Sequence, residues 1–148
     1  MPHAGLMDAD ALGPEKAPLM RAKLHIRGGR RRLRQGKISA GIVTLYDALN
    51  AAMEWYIISP ERKSELKIRN NDDMRKDSDV FDVLIRSGVL DVKFEYKTFD
   101  SLVERALNQE MPDYDYAEIL KGIEKIMIQL GVMPFDENEL PPEDPRTF

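Results

Sequence analysis

This sequence predicts an all-α protein, an up-and-down bundle of four to five helices with disordered termini. Three observations carry that expectation. Apolar residues recur at steps of three and four through most of the chain, the spacing that gathers them on one helical face. Glycine or proline separates these periodic segments, and both residues punctuate helices. Strand-like alternation occurs once, in "VKFEYK" at 92–97, and no second strand is available to pair with it.

Residues 1–17 mix Gly, Pro, Ala and Asp without a period and read as a mobile arm. The bundle domain follows over 18–133. Its first helix carries the stripe Leu19, Ala22, Ile26, Gly29 and Leu33. Gly28 and Gly29 each cost about 1 kcal/mol in a helix interior. They mark either a break or a close crossing with a neighbour, and the equally small Ala22 on that stripe favours a crossing. Gly36 ends the helix, and Ser39 is placed to cap the next.

The second helix, 39–58, is apolar around most of its circumference. Ile38, Ile42, Leu45, Leu49, Ala52 and Tyr56 form one stripe, and alanines, Val43, Trp55 and Ile58 extend it. Asp47, Asn50 and Glu54 form a narrow polar line. Such a helix is central, packed on several sides or against a partner chain. Pro60 marks its boundary. The polar stretch 61–79 reads as an exposed loop holding at most a short helix. Ser78 is a candidate cap for a helix through Val80, Phe81, Leu84 and Ile85, ended by Gly88. Residues 92–97 then read as an extended connection whose aromatics pin it to the bundle. A helix begins at Asp100 and stops before Pro112. The last has Asp115 as cap, Glu118 three residues on, and closes at Gly131 and Pro134. From Pro134 to Phe148 four prolines in an acidic stretch read as an extended tail.

The totals exclude several functions. The chain has no cysteine, which removes disulfides, thiolate catalysis and zinc–thiolate sites and fits a reducing cytoplasm. No apolar run approaches the ~20 residues that span a bilayer, and the first residues lack the pattern of a secretory signal. Phosphate-cradling glycine motifs are absent. The acidic cluster Asp72, Asp73, Asp77, Asp79 and Asp82 lacks the glycine and terminal Glu of a calcium loop and reads as caps and a solvated loop. No metal or cofactor is expected, and no catalytic residue is assigned.

The segment "RQGKISAGIVTLYDALNAAMEWYI" resembles the start of HEPN domains, including the substrate-binding-type helical partners of nucleotidyltransferases. Gly36 and Lys37, then Ala40, Ala48, Ala51 and Ala52, carry the likeness within residues 20–58. It implies a short, often dimeric bundle, sometimes RNA-associated or paired with a nucleotidyltransferase. Catalytic members carry an Arg, four to six residues, then a His. Here His3 and His25 both precede the region where that motif would lie, so the ribonuclease activity does not carry over.

Two surfaces remain as candidates. The net charge is −4, yet residues 21–37 hold eight basic residues and no acid. On a helix, Lys23, Arg27, Arg30, Arg31 and Arg34 share one face, with Arg21 and Arg32 beside them. That ridge is a solvated face, a site for an acidic partner or the chain's own acidic tail, or a phosphate-binding surface. No interleaved aromatics favour nucleic acid. The second candidate is the association helix, with Asp47, Asn50, Glu54 and Trp55. Its polar line is a solvent edge, a line ordering a homodimer, or the wall of a pocket. His25 reads as exposed. The sequence therefore predicts a non-catalytic helical interaction module, self-associating as a homodimer; the alternative is an RNA-associated HEPN-like module working with a nucleotidyltransferase partner.

Overall fold

A computed structural model describes residues 13–147, so residues 1–12, most of the predicted arm and His3 lie outside the described part. Among the described residues the chain forms six α-helices and two 3₁₀ turns. They are α1 (Lys16–Arg34), α2 (Ile38–Ile58), the short α3 (Pro60–Ser64), α4 (Asp77–Arg86), α5 (Tyr96–Asn108) and α6 (Ala117–Leu130). The turns are Glu137–Glu139 and Pro145–Thr147. The all-α bundle expected from the periodicity is the observed fold. No described helix is long and apolar enough to cross a membrane.

The apolar α2 runs through the middle and packs against each of the other five helices. Ile42, Leu45, Ala48, Leu49, Ala52 and Met53 are fully buried. Much of its apolar surface is thus covered within one chain, while Trp55, Tyr56 and Ile57 are half-buried and Ile58 is exposed. Gly28 and Gly29 do not break α1. Gly29 belongs to a close antiparallel crossing, whereas Gly28 is crowded by Arg32 of its own helix: a Cβ on Gly29 would lie 2.8 Å from Leu45 Cδ2, and one on Gly41 would lie 2.6 Å from Leu33 Cδ2. Gly36, at φ +80°, makes the turn between the two helices.

Several helix ends differ from the sequence reading. Ser39 lies inside α2, where its hydroxyl donates to the Gln109 carbonyl (2.7 Å) instead of capping. Ser78 also falls inside its helix, behind Lys76 as N-cap. α5 starts at Tyr96 rather than Asp100 because Tyr96 and Phe99 both turn inward, giving the first turn its own buried face. At α6 the cap position is Tyr116, although the Asp115 carboxylate accepts the Ala117 N–H (3.1 Å).

Residues 91–95 form no helix or turn, Glu95 is extended, and aromatic contacts hold the segment. Phe94 packs edge-on against Phe99 (5.2 Å between ring centres) and against Phe81 (6.0 Å). After α6, Gly131 at φ +90° turns the chain back. The last segment does not hang free. It carries both 3₁₀ turns and returns along α1, where Glu143 meets Arg31 and Leu140 is buried.

Candidate functional site

The basic ridge of α1 meets that returning segment. Helical spacing stacks Arg27, Arg30 and Arg31 on one side, and carboxylates from α6 and the tail close on them. Glu143 accepts from Arg31 Nε, and its other oxygen lies 3.6 Å from Arg27 Nε. Arg30 forks between Glu124 of α6 (3.2 Å) and Glu137 of the tail (2.8 Å). Arg31 also reaches the Gln35 side chain at 3.0 Å. Lys23 sits over the Phe135 ring, 5.6 Å from its centre. Arg34 is exposed at the end of α1.

The burial here is unusual for cations. Arg27 and Arg31 are each only 8% exposed. A charge removed from water is costly unless a countercharge and hydrogen bonds compensate. Glu143 supplies the countercharge for both arginines. The match is incomplete, since Arg27 Nε is buried without a hydrogen bond. Burial and the adjacent Arg31 cation hold Arg32 below the ordinary arginine value, against the pull of Glu143. An open groove of ≈ 470 Å³ is lined by Arg27, Glu137, Leu140 and Glu143.

The polar line of α2 is open to solvent at Asp47 and Glu54 and half-buried at Asn50. Asp47, Asn50 and Glu54 line an open pocket of ≈ 450 Å³, facing Arg21 and His25 of α1 and Asp77 of α4. His25 is therefore half-buried in a pocket wall rather than simply exposed. Arg21 pairs with Glu54 at 2.8 Å. Behind the pocket, the Tyr96 hydroxyl donates to Asn50 Oδ1 (2.9 Å). The Tyr46 hydroxyl, 3.2 Å from Tyr96, donates to Asp100 (3.0 Å). Burial, then the contact with Tyr46, pushes the Tyr96 phenol up.

Burial raises Asp47 above the ordinary 3.8, with His25 pulling it down. Burial and then Glu54 raise Asp77. For such a group the protonated form is the one the fold prefers. Its contribution to stability is complete below the unfolded value and is lost as pH rises through the folded one. Asp47→Asn is therefore expected to stabilise the protein at neutral pH and to give no gain in acid below the ordinary aspartate range. Urea midpoints of wild type and variant at the two pH values test this.

Trp55 does not line the pocket. The Arg62 guanidinium stacks on its ring, 4.1 Å from the centre. Arg62 also donates to the carbonyls of Trp55 (2.7 Å) and Tyr56 (2.8 Å), closing the C-terminal end of α2. The acidic cluster of the loop is spent on local structure: Asp72 binds Arg86, Asp73 binds Arg75, and Asp79 accepts the Asp73 N–H.

No protein-family model matches the chain, and neither a curated protein nor a solved structure matches it.

Proposed function

We propose that this chain is a non-catalytic helical interaction module, self-associating, whose α1 ridge binds acidic extended protein segments. The observation that carries the reading is the seat of Glu143 between two nine-tenths-buried arginines. Around it, Glu137 pairs with Arg30 and Leu140 is buried. Glu137, Leu140 and Glu143 are spaced by three residues. Polyproline and 3₁₀ geometry both repeat every three residues, so this spacing presents acid, leucine and acid on one side. The tail thus behaves as a bound ligand held in the same chain. A protein segment is favoured over nucleic acid because Arg27, Arg30 and Arg31 are already matched to carboxylates.

The test is fluorescence anisotropy with a labelled peptide of residues 134–148 and the full chain carrying Glu137→Gln and Glu143→Gln, which frees the ridge. The expected result is micromolar binding that weakens with salt, disappears on adding Arg27→Ala and Arg31→Ala, and is strongly reduced in the wild-type chain. Tighter binding of single- or double-stranded RNA than of the peptide would overturn the reading.

A further inference from the structure

The self-association in the proposed function needs a surface, and most of α2 is buried within its own chain. The one segment with strand-forming sequence offers another. Residues 91–95 form no helix or turn, exposed and half-buried residues alternate along them, and Glu95 is extended at φ −107°, ψ 119°. Among the described residues, the backbone N–H and C=O groups of Val92, Lys93 and Phe94 have no hydrogen-bond partner. Open grooves flank the segment on both sides: one of ≈ 550 Å³ towards Ile119 and Gly122 of α6, the other of ≈ 540 Å³ towards Phe81 and Ile85 of α4. An extended segment with unpaired backbone is a template for a further strand.

The charge pattern chooses the partner. Phe94 points into the aromatic cluster while Lys93 and Glu95 are exposed. Two copies meeting antiparallel must pair inward residues with inward residues, because a one-residue slip would reverse the faces. With Phe94 opposite Phe94, each Lys93 faces the other copy's Glu95, and both cross-strand charge pairs attract. Centring on Lys93 instead sets lysine against lysine and Asp91 against Glu95. Centring on Glu95 sets glutamate against glutamate and Lys93 against Lys97. The alternation Asp91, Lys93, Glu95, Lys97 is thus complementary to itself in the register centred on Phe94 and repulsive in these neighbouring ones.

We propose that a second copy of this chain is the occupant: two chains pair residues 92–95 as a two-stranded antiparallel ribbon about a twofold axis at Phe94, with Lys93 opposite Glu95. The interface is isologous, so each substitution acts twice. The charged side chains lie on the face of the ribbon away from the aromatic cluster. The inference rests on the self-association part of the proposed function and is independent of the α1 ridge.

The test uses sedimentation equilibrium of the full chain with Lys93→Glu, Glu95→Lys and the double exchange. Each single reversal puts like charges opposite each other twice and is expected to weaken dimerisation by about tenfold or more. The double exchange is expected to restore it. Mixing the Lys93→Glu and Glu95→Lys proteins is expected to yield a heterodimer, since every cross-strand pair is then opposite in sign. Both positions are exposed; circular dichroism checks that the folds are intact, including after loss of the Thr98–Glu95 hydrogen bond. Amide exchange at Val92–Glu95 is expected to be slow in the dimer and fast in the single reversals. A dimer indifferent to both reversals overturns this surface and leaves self-association standing. A monomer at tens of micromolar, on the scale of weak specific complexes, overturns both. A monomer that takes up an extended segment of another protein at 92–95 also overturns the proposal.

Discussion

Replacing Glu143 by alanine is expected to lower the free energy of unfolding by about 2–3 kcal/mol, a large effect for a residue near a chain end. The loss comes less from the removed contact than from what is left. Arg27 and Arg31 would stay nine-tenths buried beside one another and beside Arg32. Arg31 would retain only part of its bonding, through Gln35, and Arg27 Nε already lacks a hydrogen bond. Removing one partner of a buried pair leaves its charge uncompensated, whereas replacing both with apolar groups is often neutral. The combination Arg31→Met with Glu143→Leu is accordingly expected to be more stable than Glu143→Ala alone. Urea denaturation of the three proteins decides it. A Glu143→Ala midpoint within about 0.5 kcal/mol of wild type, the size of an ordinary surface change, would mean that the tail does not hold the ridge.

The ridge itself was legible in the sequence, because helical spacing alone places Lys23, Arg27, Arg30, Arg31 and Arg34 together. Its occupant was legible only as one of several options. Glu143 and Arg31 are 112 residues apart, and an acidic, proline-rich segment has no period from which docking can be read. The same limit applies to α2. Its apolar circumference shows that it is central but not whether the cover comes from its own chain or another; here all five other helices of the chain contact it. The polar line Asp47, Asn50 and Glu54 was visible, but the pocket needed α1 and α4 to supply Arg21, His25 and Asp77. Helix starts failed where tertiary contacts outbid local capping: Ser39 serves the Gln109 carbonyl, and Tyr96 and Phe99 draw α5 back by four residues. Arg62 was missed as the clasp on the end of α2. Its one signal was position, two residues after the proline that stops the helix.

The α1–α2 crossing was the long-range contact most readable from glycine placement, and it gives the second large expected effect. Gly41→Val is expected to cost about 3 kcal/mol, the upper end for overpacking a tight core. A Cβ at this position would come within 2.6 Å of Leu33 Cδ2, 2.7 Å of Leu33 Cγ and 3.2 Å of the Leu33 backbone nitrogen. The side-chain atoms can yield by rotation, but Leu33 is 2% exposed and has little space to enter. The backbone nitrogen cannot yield without moving α1 off α2. The gain in helix propensity over glycine, under about 1 kcal/mol, does not offset this. Leu33→Ala alone is expected to cost about 2–5 kcal/mol through the cavity it leaves. The two changes occupy the same space with opposite sign, so Gly41→Val with Leu33→Ala is expected to cost less than their sum by about 1–2 kcal/mol. Urea unfolding of the four proteins closes the cycle. Strict additivity would mean that Gly41 and Leu33 do not share one packing site, and the close crossing of α1 and α2 would have to be abandoned. A favourable coupling fixes the register of the hairpin, and with it the direction in which the arginines of α1 face the returning tail.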